Sequence, residues 1–75
     1  MSIMRTGTLL SKNLKHLMVD KDISATDIAK RMNLARTSIY HKFNNPHTIT
    51  VEDLAKFADI FKVSIADLFA ERKNA

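Results

Sequence analysis

The sequence predicts a compact all-α fold, and three observations carry that expectation. The chain has 75 residues with one glycine and one proline, whereas a β-sandwich or barrel needs a turn roughly every 8–12 positions. It has no cysteine, which excludes a disulfide framework, a cysteine zinc site and a thiol nucleophile. Its apolar residues, 45% of the chain, recur at helical spacing. A chain this short buries only about 60% of the surface its unfolded form exposes. A catalytic cleft between two domains is therefore out of reach, and the core must come from well-packed helices or from oligomerisation.

Five helices follow in order. Over residues 8–20, Leu10, Leu14, Leu17 and Met18 form one stripe, with Lys12, Lys15 and His16 off it. Asp20, Lys21 and Asp22 end this helix. Ser24, with Asp27 three residues on, has the pattern of a capping box. The helix it starts runs to about Met32 with Ile28, Ala29 and Met32 inward. Asn33 stands where a left-handed residue would end that helix. A third helix, residues 36–44, carries Ile39 and Phe43 inward. The turn between the second and third helices is short enough to demand a steep crossing. Asn44, Asn45 and Pro46 break the chain, because proline pushes the residue before it out of the α region. Thr50 caps a fourth helix with Glu52 and Asp53 in its first turn and Leu54, Phe57, Ala58 and Phe61 inward. Ser64 and Asp67 repeat the cap pattern for a short fifth helix bearing Ile65, Leu68 and Phe69. Residues 1–75 are expected to form one domain with an ordered core at about 8–70, a flexible N-terminal arm and a frayed C-terminal tail.

The formal charge is +4, and it is uneven. Residues 1–45 hold eight basic and three acidic side chains, a net +5, and residues 46–75 hold four and five, a net −1. A basic excess gathered in one half points to a polyanion or to a lysine-rich solvated face. No apolar run approaches the roughly 18 residues of a membrane span. The N-terminal residues lack the apolar region of a secretion signal. The expected location is the cytoplasm, with no membrane partner.

The segment from Ala25 to Asn44 carries the function. Its apolar residues face inward, and the small Ala29 suits close contact between helices. The outer face of the third helix is polar: Arg36, Thr37, Tyr40 and His41, with Lys42 beside them. An α-helix fits the major groove of DNA, and these side-chain types read base edges or bind phosphate.

Asp27-Ile28-Ala29, the turn at Asn33 and Thr37-Ser38-Ile39-Tyr40 are followed downstream by Leu54, Phe57-Ala58-Asp59, Phe61-Lys62-Val63-Ser64 and Asp67-Leu68-Phe69. In that order they resemble the helix-turn-helix domain of lambdoid phage repressors and Cro proteins, the XRE type, over roughly residues 10–69. The resemblance implies a five-helix, lambda-repressor-like DNA-binding domain with its helix-turn-helix at the second and third helices. Asn33 and Lys62 stand where the family often has glycine. Lysine in a left-handed conformation costs on the order of 1 kcal/mol, so the Lys62 junction is expected to be built differently. Phe43 takes the apolar role that the family gives to the position of Lys42. Residues 39–43 also resemble the recognition helix of tetracycline-repressor-like regulators, whose large ligand-binding domain this length does not accommodate.

The resemblance implies roles residue by residue. Arg36 and Thr37 face base edges, Tyr40 and His41 match the next turn, and the Ala35 methyl group meets a thymine methyl. Backbone N–H groups near Ser24, Ala25 and Thr26 hold a phosphate at the positive end of the helix dipole. Lys42, Asn44 and Asn45 clamp phosphates beyond the recognition turn. Ile65 and Phe69 sit near a contact between two subunits, giving a homodimer, weak in solution and completed on DNA. The simpler alternatives are a solvated Arg36, a Tyr40 ring packed on its own helix and phenylalanines that only fill the core.

The expected function is thus a sequence-specific double-stranded-DNA-binding transcriptional regulator, a repressor of phage, prophage or plasmid type on a pseudo-palindromic operator. The alternative is an antitoxin or protein-interaction module on the same fold. Nothing suggests an enzyme: there is no nucleophile–base pair and no glycine-rich phosphate loop. His16, His41 and His47 lack metal-site spacing, and adjacent Glu52 and Asp53 point apart on a helix. No cofactor, metal or small-molecule effector domain is expected.

Overall fold

A computed structural model of the chain describes residues 2–71, with side chains from Gly7 onward. It contains α1 (Ser2–Asp20), α2 (Ala25–Met32), α3 (Arg36–Asn44), a 3-10 turn at Pro46–Thr48, α4 (Val51–Phe61) and α5 (Ile65–Leu68), and no strand among the described residues. The all-α, five-helix expectation therefore holds.

The helices are bounded by two repeated local devices. Three begin with a full capping box. Ser24 and Asp27 start α2, Thr50 and Asp53 start α4, and Ser64 and Asp67 start α5. In each, the cap hydroxyl accepts the N–H of the acidic residue, whose carboxylate accepts the cap N–H in return. Two of the backbone donors that a helix start leaves unpaired are satisfied this way. The Thr50–Asp53 pair is a complete box, more than the simple Thr50 cap read from the sequence.

Three helices end in the same left-handed turn. Asp22, Asn33 and Lys62 have φ values of 56°, 58° and 61°. After each, the next N–H reaches five residues back: Ile23 to the Met18 carbonyl, Leu34 to Ala29 and Val63 to Ala58, each at 2.9 Å. The shorter bond of the Schellman motif accompanies each one, at 3.2–3.3 Å. The expectation for Asn33 is met. The expectation for Lys62 is not: the junction keeps the left-handed geometry, and two backbone hydrogen bonds offset the strain of its Cβ.

Two boundaries also differ from the sequence reading. α1 starts at Ser2 rather than near residue 8, so residues 2–7 of the expected N-terminal arm continue the helix. No proline interrupts them, and the lone Gly7 costs only about 1 kcal/mol relative to alanine. Its bare Cα lets Pro46 approach, since a Cβ there would lie 3.3 Å from the proline Cγ. The 3-10 turn at Pro46–Thr48 is new; the Thr48 N–H and hydroxyl both donate to the Asn45 carbonyl, at 2.9 and 2.7 Å. Of the expected C-terminal tail, residues 72–75 lie outside the described residues.

One core joins all five helices. Leu14, Ile28, Ile39, Phe43, Phe57, Phe61 and Leu68 are fully buried. The Phe43 and Phe57 rings meet edge to face with centroids 5.5 Å apart, a preferred aromatic geometry. Leu10, Leu17, Ala29 and Met32 are buried as expected, while Met18, Leu54 and Phe69 lie half-buried at the margin and Ile60 joins the interior instead. Asn13 is the only buried polar side chain among the described residues. Its amide donates to the carbonyls of Leu68 at 2.9 Å and Ala70 at 2.7 Å. This ties α1 to the end of α5, where the last carbonyls of a helix otherwise lack partners.

Candidate nucleic-acid interface

The sequence places a helix with one thin apolar edge after the turn at Asn33. Ile39 and Phe43 are the only buried residues of α3, and Ser38 and Lys42 flank them half-buried. Arg36, Thr37, Tyr40, His41 and Asn44 are exposed. Spaced at i, i+1, i+4, i+5 and i+8, they share one face of the helix. Ala35 and Leu34, just before α3, are exposed as well. The structure thus brings four of the expected base-reading residues, Arg36, Thr37, Tyr40 and His41, onto one face, with Ala35 exposed just before it.

That surface is open. Tyr40 is 49% exposed, so its ring is not absorbed into the core. No hydrogen bond or ion pair engages the side chains of Arg36, Thr37 or Tyr40 among the described residues. Leu34, Thr37, Ser38, His41, Lys42 and Thr48 line a shallow groove along the edge of this face. Ala35 holds the cap position of α3 in an extended conformation without a side-chain hydrogen bond. The start of α3 is therefore free of the carboxylate that closes α2, α4 and α5.

The expected phosphate ligands divide. Ser24 and Thr26 are exposed, and Ala25 is buried. The Ser24 N–H is already donated to Asp27 Oδ2 at 3.3 Å, which leaves the N–H groups of Ala25 and Thr26 outside the box. Asn44 is exposed at the end of α3. Asn45 is turned inward on its own helix, donating from Nδ2 to the His41 carbonyl at 2.9 Å.

Lys42 departs furthest from the expectation of a free phosphate cation. Its Nζ lies 2.9 Å from Asp53 Oδ2, with both side chains largely covered. Burial alone pushes the Asp53 carboxyl up. The Lys42 hydrogen bond, the Thr50 N–H, the Lys42 charge and the Thr50 side chain together outweigh burial and hold it below its ordinary value. Lys42 is thus a strut from α3 to the capping box of α4. The sequence showed Asp53 only as a favourable first-turn charge, and nothing local signals a partner eleven residues away.

Two further residues escaped the sequence reading. Ser11 on α1 donates from Oγ to the Phe43 carbonyl, fastening the last turn of α3. Lys15 Nζ donates to Asn44 Oδ1 at 3.2 Å. At the other end of the chain, Ile65 is 40% exposed and Phe69 packs half-buried against the core. No group of three or more metal-binding side chains forms among the described residues, and none of their helices is long and apolar enough to cross a membrane.

Comparison with curated proteins and with solved structures returns no match. A family model does match, that of the Cro/C1-type HTH DNA-binding domain, over residues 13–70. That span runs from the buried Asn13 to the Ala70 carbonyl it holds, and it contains every capping box and the whole polar face of α3. It supports a DNA-binding transcription regulator, and on it the chain belongs to the Cro/C1-type HTH DNA-binding domain family.

Proposed function

We propose that this protein is a sequence-specific regulator of transcription, a repressor of phage, prophage or plasmid type, that binds a pseudo-palindromic operator as a dimer. The observation that carries the proposal is the open polar face of α3, seated on the family's helix-turn-helix. With α3 in the major groove, Arg36 donates two hydrogen bonds to guanine O6 and N7, worth about 1–3 kcal/mol of discrimination. Thr37 contacts a base or phosphate, Tyr40 and His41 read the next turn, and the Ala35 methyl meets a thymine methyl. The N–H groups of Ala25 and Thr26 hold a phosphate at the start of α2, where the helix dipole favours an anion. Asn44 contacts the backbone farther along. The interface needs no cofactor and performs no reaction.

Two copies joined near Ile65 and Phe69 would present two α3 helices to half-sites about 34–36 Å apart. The gain is in affinity and in specificity, since one reader covers only part of a helical turn. The exposed Ile65 supports this site of association.

Random-oligonucleotide selection followed by binding titrations across salt concentrations tests the proposal. The expected result is a pseudo-palindromic consensus, bound about 10³-fold or more above random duplex, with log K falling linearly against log salt. Recovery of no preferred sequence at any salt overturns it.

A further inference from the structure

The basic excess of the N-terminal half extends beyond the helix-turn-helix. On α1, Thr8, Ser11, Lys12 and Lys15 follow one another at i, i+3, i+4 and i+7, a single face of the helix. That face borders the end of α3. Together with Asn44 and Pro46 these residues line one open groove. None of the six is acidic. Lys12 is exposed and has no ion-pair or hydrogen-bond partner among the described residues. Lys15 is also exposed, and its one bond, to Asn44 Oδ1 at 3.2 Å, is to a neutral group. Two ammonium groups three residues apart on a helix repel each other, and no counter-charge lies between them among the described residues.

The other groups in the groove are suited to an anion. Asn44 turns its carbonyl oxygen to Lys15, so its amide NH₂ is left to donate outward. Thr8 adds an exposed hydroxyl. The contrast with Lys42 is informative, because that lysine is neutralised inside the protein by Asp53 and these two are not. Position matters as well. Asn44 lies eight residues beyond Arg36, about 12 Å along the helix axis, which is about the width of the major groove. A groove at that end of α3 faces the phosphate backbone that borders the bases read by the first turn.

We infer that Lys12 and Lys15 of α1, with Asn44 of α3, form a second phosphate-binding site that grips the DNA backbone beside the recognition helix. This rests on the DNA-binding reading above and adds α1 to the footprint. The site contributes affinity and salt dependence without sequence information, as phosphate contacts do.

The test is binding of the full-length chain to duplex DNA, both the selected sequence and a random one, by fluorescence anisotropy across salt. Lys12→Gln and Lys15→Gln are each expected to lower the slope of log K against log salt by about 0.9. Each should weaken selected and random duplexes by the same factor, on the order of five- to tenfold at ~0.1 M salt. Lys56→Gln, outside this groove on α4, removes the same charge and is expected to leave the slope within error. Both lysines are exposed, so thermal unfolding by circular dichroism should show the variants folded as the wild type. Wild-type binding with an unchanged slope in both groove variants, or an equal loss in Lys56→Gln, overturns this site and leaves the DNA-binding reading standing. Failure of the wild type to bind any duplex overturns both.

Discussion

Helices α2 and α3 are adjacent and nearly equal in length, yet they are built in opposite ways. α2 has a reciprocal capping box at its start, a left-handed Asn33 at its end and four buried residues among eight. α3 starts at Ala35 with no side-chain cap, ends without a left-handed turn and buries two residues among nine. Local caps thus fix both ends of α2, whereas the ends of α3 are held by what surrounds them. Ile39 and Phe43 enter the core, Ser11 fastens the Phe43 carbonyl and Lys42 reaches Asp53. A helix that leaves its polar face open has few side chains left to stabilise itself. Most of its stability then has to come from tertiary contacts.

This contrast predicts different responses to mutation. The largest effect is expected at Phe43, which anchors α3 against the Phe57 ring. Phe43→Ala should cost about 3–5 kcal/mol, most of the stability of a domain this small, and urea denaturation will measure it. Exchanging caps comes next. Ser24→Ala is expected to destabilise by about 1 kcal/mol. Ala35→Ser supplies the missing cap of α3 and should stabilise by up to about 1 kcal/mol. Equal and opposite midpoint shifts in urea would show that α3 lacks only local capping; no gain from Ala35→Ser would show that its start is fixed by the turn.

The strained C-terminal turns give a further comparison. Lys62→Gly should raise stability by about 1 kcal/mol, since glycine has no Cβ penalty at positive φ. Asn33→Gly should gain less, because asparagine already tolerates this conformation. Thermal melts of the two variants side by side check the order.

The smallest effect concerns the strut. The folded Asp53 carboxyl sits below its ordinary value of 3.8. Its contribution is therefore complete above the unfolded pKa and is lost as pH falls through the folded one. Lys42→Met should cost no more than ~1 kcal/mol near neutrality. That cost should shrink in urea titrations below about pH 4, where the unfolded carboxyl is already protonated. A cost that stays constant down to pH 2 would show that the lysine acts through packing.

What was legible in the sequence follows the same division. Caps, left-handed stops and apolar stripes are local, so Ser24–Asp27, Asn33 and the Leu10–Leu14–Leu17 stripe could be read directly. The polar face of α3 was legible for the same reason. Contacts made by polar side chains across the fold were not. Asn13 reaches a carbonyl 55 residues away and Ser11 one 32 residues away, and neither distance leaves a trace in spacing. Asn13 carried a faint signal, since it lies three residues from Leu10 and four from Leu17 on the buried side of α1. The Lys42 strut is not legible either, because a lysine beside an open polar face looks free until its partner on another helix is known. The left-handed Lys62 is not legible from intrinsic cost, because two backbone hydrogen bonds secured by the turn offset that cost.

The proposed function rests on the exposed face of α3 reading bases. The most direct measurement is parallel random-oligonucleotide selection with the wild type and Arg36→Ala, a change on an exposed side chain that leaves the core untouched. The claim predicts that the variant loses its preference at one base position in each half-site and keeps the others. An unchanged selected sequence would contradict it.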